Sequence, residues 1–130
     1  MDLPASPAPH GDGRPLALVV ESETGRRIET ADLLAGAGFE VLEAWSAQTA
    51  FRQIERHGML RLVVVDADLR GAETRFALVH EIARHRPDLA LIALSDGPSP
   101  APGALPEGVR FAVKPLTPAL AREALGQLSG

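Results

Sequence analysis

The residues of this chain that could do chemistry stand at the ends of apolar runs. Leu62-Val63-Val64-Val65 leads straight into Asp66, with Asp68 two positions further on. Leu16-Ala17-Leu18-Val19-Val20 ends on Glu21-Ser22-Glu23, the run 89–94 ends on Ser95-Asp96, and the run 109–113 ends on Lys114-Pro115. Lys114 is the only lysine in the sequence, against twelve arginines. A short apolar run without alternation reads as a strand covered on both faces, as in a parallel sheet. In such sheets the chemistry lies outside the carboxyl ends of the strands. Acids, a hydroxyl and an amine gathered on one sheet edge are the layout of a phosphoryl-accepting site.

The elements needed to hold these residues are legible. A first strand over about 16–20 is followed by a helix from about Thr24 to Ala37, with Ile28, Ala31, Leu34 and Ala35 on its apolar stripe. Gly36 and Gly38 end it. A half-buried strand over 39–44 precedes a helix over 47–56 that buries Ala50, Phe51 and Ile54 and stops at Gly58. The strand ending at Asp66 leads, through a loop, to a helix from about Thr74 to His85 that buries Phe76, Val79, Ile82 and Ala83. The alternation then breaks. Residues 96–106 hold four prolines and two glycines, which no ordinary helix accommodates. A fifth strand over 109–113 and a helix from Pro118 to about Leu128 complete the pattern, with proline suited to a first helical turn. Five strands alternating with helices predict an α/β, doubly wound, five-stranded parallel sheet. The segment 1–14, with three prolines and two glycines, reads as a disordered tail before one domain over 15–130.

Composition narrows the function. The chain has 130 residues and a net charge of −4, so it lacks the clustered positive face that nucleic acid requires. It has no cysteine, which removes disulfides, thiol catalysis and thiolate metal sites. No apolar run approaches the roughly 20 residues that span a bilayer, so a membrane role is not expected. The first fifteen residues lack the apolar core of a signal peptide, and the expectation is a cytoplasmic, bacterial protein. His10, His57, His80 and His85 show no metal-ligand spacing and read as surface residues. Arg26, Arg27, Arg84 and Arg86 read as solvated helix charges, and Trp45 as loop packing.

In four places, in order, the sequence resembles the receiver domain of bacterial two-component response regulators. Val19-Val20-Glu21-Ser22-Glu23 resembles the acidic pair after the first strand, and the segment 64–71 resembles the phosphoacceptor segment. Leu94-Ser95 resembles the hydroxyl position, and Phe111-Ala112-Val113-Lys114-Pro115 the aromatic-x-x-Lys-Pro ending. The resemblance spans about residues 16–128. It implies the flavodoxin-like strand order 2-1-3-4-5, with the fourth helix of the family shortened or absent here. It implies Asp66 as phosphoacceptor, with Lys114 and Ser95 meeting the phosphoryl oxygens. Mg²⁺ would be held by Glu21, Asp66 and the backbone carbonyl of Asp68. It further implies that Ser95 moves toward the phosphoryl group while Phe111 swings inward. The implied partners are a sensor histidine kinase or phosphotransfer protein and a downstream protein, with a homodimer as a further option.

This sequence also departs from the pattern. Ser22 stands where the family usually has aspartate, so Mg²⁺ is expected to bind weakly. Asp96 either adds negative charge beside an incoming anion or supplies the missing ligand. The Pro-rich segment replaces much of the usual fourth helix, so a dimer on that face is expected to be weakened, leaving the fifth strand, the last helix or the first helix for output. The expected function is a phosphorelay receiver module, a signalling protein rather than an enzyme. A phosphorylation-independent pseudo-receiver is the alternative within the fold. A flavodoxin-like enzyme or nucleotide binder would need a phosphate-cradling glycine loop, which the acidic stretch 21–25 does not provide.

Overall fold

The structure, a computed structural model, describes residues 13–71 and 74–129. Residues 1–12 of the expected tail lie outside the described residues. The elements run β1 (Leu16–Val20), α1 (Thr24–Ala37), β2 (Glu40–Ala44), α2 (Ala47–Arg56), β3 (Leu60–Asp66), α3 (Ala77–His85), β4 (Ala90–Ser95), β5 (Arg110–Val113) and α4 (Pro118–Ser129). The strands form one sheet in the order β2-β1-β3-β4-β5, every neighbouring pair parallel. This is the expected doubly wound fold.

Period-two alternation divides the strand residues between two cores. Leu18, Val20, Val63, Val65, Leu91 and Ala93 face α2 and α3. Ala17, Val19, Leu62, Val64, Ile92 and Leu94 face α1 and α4, together with Phe39. Coverage on both faces is why these runs carry no polar residue until their ends. β3 begins two residues earlier than its apolar run suggests, because the pairing with β1 slips between Leu16 and Ala17. The slip gives exposed Arg61 the extra position, so Leu60 and Leu62 enter opposite cores, as a bulge allows.

The helices are set by their caps. Glu23 accepts from the backbone N–H groups of Gly25 and Arg26 at the start of α1. Gly38, at φ 119°, closes it, and its N–H bonds the carbonyls of Leu34 and Ala35. The buried stripe of α1 differs from the expected one. Ala31 and Leu34 are buried with Leu33 and Ala37 beside them, whereas Ile28 and Ala35 face solvent. α2 carries a reciprocal Ser46–Thr49 capping box. α3 starts at Ala77 rather than Thr74 and has no side-chain cap. The residues before it form a turn, closed by Ala77 N–H on the Thr74 carbonyl, and Arg75 is left to extend toward β4. Just before α4, the Thr117 hydroxyl caps the helix by accepting from the Leu120 N–H.

No helix lies between β4 and β5. That connection is held from outside: Arg75 donates to the Pro98 carbonyl at 2.6 Å, and His80 Nε2 to the Ala104 carbonyl at 2.8 Å. Ala104, Leu105 and Val109 pack on the α2/α3 core. His80 is therefore half-buried, not a plain surface residue, and so is His57, whose ring meets the Gln53 carbonyl. Among the described residues no helix is long and apolar enough to cross a membrane.

Candidate functional site

The carboxyl ends of β1, β3, β4 and β5 bring Glu21, Asp66, Ser95 and Lys114 to one edge of the sheet. Asp66 closes β3 and is buried, because the register sets it beside Leu94 in the middle of the sheet. Ser95 ends β4 at 0 % exposure. The Lys114 N–H bonds the Ser95 carbonyl at 3.0 Å, which fixes the lysine one step beyond β5, before a cis peptide bond to Pro115. Its ammonium reaches back across β4 and lies 2.7 Å from Asp66 Oδ1, 3.5 Å from Asp68 Oδ2 and 3.9 Å from Asp96 Oδ2. The lone lysine thus faces the central acid.

Glu21 sits beside Asp66, and its Oε2 accepts from the Glu23 N–H. Burial pushes the Glu21 carboxyl above the usual carboxylate range; the Glu23 amide opposes this and the neighbouring Asp66 reinforces it. Glu23 turns away to cap α1, as an extended backbone requires. For Lys114, burial works against the charge, but Asp66, Glu21 and Asp68 outweigh it and hold the ammonium above its ordinary value. Asp68 behaves similarly with opposite sign. Burial would raise its carboxyl, yet the Asp96 amide, the Ser95 hydroxyl and Lys114 bring it below the ordinary range.

Two groups here were not foreseen as functional. The first is the side chain of Asp68, which accepts from Ser95 Oγ at 3.0 and 3.1 Å and from the Asp96 N–H at 3.0 Å. The Asp-x-Asp spacing puts both carboxylates on one side of the strand end, a signal the sequence does carry. The second is Arg75, which donates to Ser95 Oγ through Nη2 at 2.8 Å. Its guanidinium lies 4.8 Å from the Phe76 ring centre and 5.6 Å from that of Phe111. The two rings meet edge-on at 6.4 Å, and Phe111 packs against the α2/α3 core. Gly97 leaves room for this arginine, because a Cβ there would come 2.8 Å from Nη2. Nothing in the spacing around Arg75 marks it.

The remaining expected residues take these places. Asp96 is largely exposed, and its carboxylate is 4.0 Å from Arg26 and 3.9 Å from Lys114. Ser22 is half-buried beside Glu21. Arg27 is not a solvated charge: it pairs with Glu43 at 2.9 Å, donates to the Glu21 carbonyl and lies 5.8 Å from the exposed Trp45 ring. Arg86 likewise forks onto Asp88. Among the described residues, no three acids or histidines form a group that could hold a metal.

No family model and no curated protein sequence matches this chain. Solved structures do. A response regulator receiver domain protein from Methanospirillum hungatei superposes with a TM-score of 0.74 at 21% identity, over 89% of this chain and 94% of that one. A response regulator receiver domain protein from Clostridium thermocellum gives 0.71 at 23%, over 86% and 91%. The receiver domain of the hybrid histidine kinase CckA gives 0.69 at 26%, over 86% and 96%. Strand order, helix placement and these superpositions agree: the chain has the fold of response regulator receiver domains.

Proposed function

We propose that this chain is a phosphorelay receiver module whose Asp66 accepts a phosphoryl group from a histidine kinase or phosphotransfer protein. The observation that carries this reading is the pair formed by half-buried Lys114 and buried Asp66 at 2.7 Å, with Ser95 beside it. A carboxylate kept next to a fixed ammonium is oriented to attack phosphorus, and the same ammonium neutralises charge on the transferring oxygens. In the transfer, an Asp66 oxygen forms the new P–O bond as the P–N bond of phosphohistidine breaks, and the imidazole leaves. The group stays on the protein, so the module signals rather than turning over substrate.

The donor set fits a hard dication sparingly. Burial, reinforced by the neighbouring Asp66, disfavours the charge on Glu21, a tension that a cation relieves. Mg²⁺ is commonly held by one or two carboxylates plus waters and phosphate oxygens. Glu21, Asp66 and the Asp68 carbonyl would hold it, and Ser22 supplies no third charge. Asp96, facing Arg26 and Lys114, acts as a rim charge in this reading. When bound, the ion would offset the negative charge of the incoming phosphoryl oxygens. The retained Lys114, Ser95 and Asp66 support phosphoryl acceptance over a phosphate-independent interaction module. Output through the surface around Phe111, and a cytoplasmic setting, belong to the same proposal.

The test is labelling by acetyl phosphate with Mg²⁺, followed by intact mass. One phosphoryl adduct that disappears in Asp66→Asn is expected. A wild-type protein that stays unlabelled over hours while folded would overturn the reading.

A further inference from the structure

The receiver reading assigns the Asp68 backbone, but not the side chain. That carboxylate takes the Ser95 hydroxyl proton, the Asp96 N–H at 3.0 Å and the edge of the Lys114 ammonium at 3.5 Å, with Arg75 Nε 3.9 Å away. A hydroxyl, a backbone N–H and an ammonium converging on one point are what an oxyanion attached to Asp66 would require. Two of these, Ser95 and Lys114, are the groups assigned to the phosphoryl oxygens above. The Asp68 N–H bonds Asp66 Oδ1 at 2.9 Å, and this tight turn brings the second carboxylate over the first.

Ser95 has no spare capacity in this state. Its one proton goes to Asp68, and its lone pairs receive Arg75 Nη2 at 2.8 Å and the Gly97 N–H at 2.9 Å. We propose that the Asp68 carboxylate is a built-in competitor for the phosphoryl group, seated on the donors that the phosphoryl oxygens need. Phosphoryl transfer to Asp66 then has to displace it. The Asp68 side chain is about a third exposed (36%), so it can rotate out to water without opening the core. While seated, it holds Ser95 on the Arg75 guanidinium and keeps that guanidinium on Phe76 and Phe111. The carboxylate thereby both slows labelling and sustains the contact of Arg75 with Phe111.

This inference rests on the receiver reading, and the experiment separates the two. Labelling rates with acetyl phosphate and Mg²⁺ are compared for wild type, Asp68→Ala, Asp68→Asn and Asp96→Asn. Both Asp68 variants are expected to label faster, by about tenfold, the scale of one lost hydrogen bond to a charged group. Asp96→Asn removes a nearby charge without freeing Ser95 and is expected to change the rate much less. Equal rates in wild type and both Asp68 variants would overturn the competitor while leaving the receiver reading intact. So would an Asp96→Asn effect as large as that of Asp68→Ala, which would point to general charge. If no protein labels, the receiver reading fails, and inorganic phosphate decides the competitor by itself. The Asp96 and Gly97 amide resonances of Asp68→Ala should then move at phosphate concentrations that leave wild type unmoved. No difference between the two would overturn the proposal.

Discussion

Two connections in this molecule do the same topological job by opposite means. Between β2 and β3, α2 closes its own backbone ladder, caps itself with Ser46 and Thr49, and buries Ala50 and Ile54. Between β4 and β5 there is no helix, and apart from two internal turn bonds, Ala104 N–H to the Ala101 carbonyl and Val109 N–H to the Pro106 carbonyl, the chain takes its anchors from elsewhere: Arg75 for Pro98, His80 for Ala104. A helix that satisfies itself can pack without reference to the site. A segment that depends on borrowed side chains is tied to whatever those side chains also hold, and Arg75 also holds Ser95. The difference teaches where coupling resides in this fold: in the connection that cannot stand alone.

Breaking the regular side should have the largest effect on stability. Phe39 is fully buried in the α1/α4 core, and Phe39→Ala is expected to cost about 3–5 kcal/mol by denaturant titration. Arg75→Ala should cost about 1–3 kcal/mol, the range for losing hydrogen bonds from a charged group. Unlike Phe39→Ala, it should shift the resonances of Phe111 and of residues 97–105 together. Gly97→Ala sharpens the point, because its Cβ must push the guanidinium off Ser95 while the arginine stays present. Ser46→Ala, which removes a cap on the self-sufficient helix, should cost about 1 kcal/mol and leave the site spectrum unchanged. If Arg75→Ala perturbs only its own neighbours, the contrast between the two connections fails.

The smallest expected effects are in the pH profile. Asp68 has a folded value below its unfolded one of about 4, so its contribution is present above pH 4 and lost as pH falls through the lower folded value. The stability gap between wild type and Asp68→Asn should therefore narrow in acid. Glu21 has the opposite sign. Its folded value is raised, so ionisation costs stability as pH rises beyond about 4, and Glu21→Gln should gain on wild type from pH 4 to pH 7. Thermal unfolding at pH 4 and pH 7 reads Glu21, and unfolding carried below pH 4 reads Asp68.

The sequence is most legible where burial is complete. Runs such as Leu62-Val63-Val64-Val65 have to be covered on both faces, so a parallel sheet and the sheet-edge position of Asp66 could be read from them, while the strand order came with the family resemblance. It is less legible where a surface helix carries spare apolar residues: Ile28 and Ala35 matched a stripe as well as Leu33 and Ala37 did, and only tertiary packing chose between them. The meeting of Glu21, Asp66, Ser95 and Lys114 followed from strand ends alone. Arg75 did not, since its place on Ser95 comes from loop geometry rather than from periodicity, and for the Asp68 side chain the Asp-x-Asp spacing marks the carboxylate but not its hold on Ser95.

The β4–β5 connection has one more consequence. Its anchors to α3 and the turn before it land on the carbonyls of Pro98 and Ala104, while Pro98, Pro100, Pro102 and Pro106 carry no N–H at all. Amide hydrogen exchange senses only N–H groups, so it would register the bonded amides of Asp96, Gly97, Ala104 and Val109 but neither of these anchors. A probe that reads carbonyls, such as ¹³C=O chemical shifts or isotope-edited infrared bands, should instead find two of them tightly bonded. The two side-chain anchors of this connection are recorded on the acceptor side of the backbone.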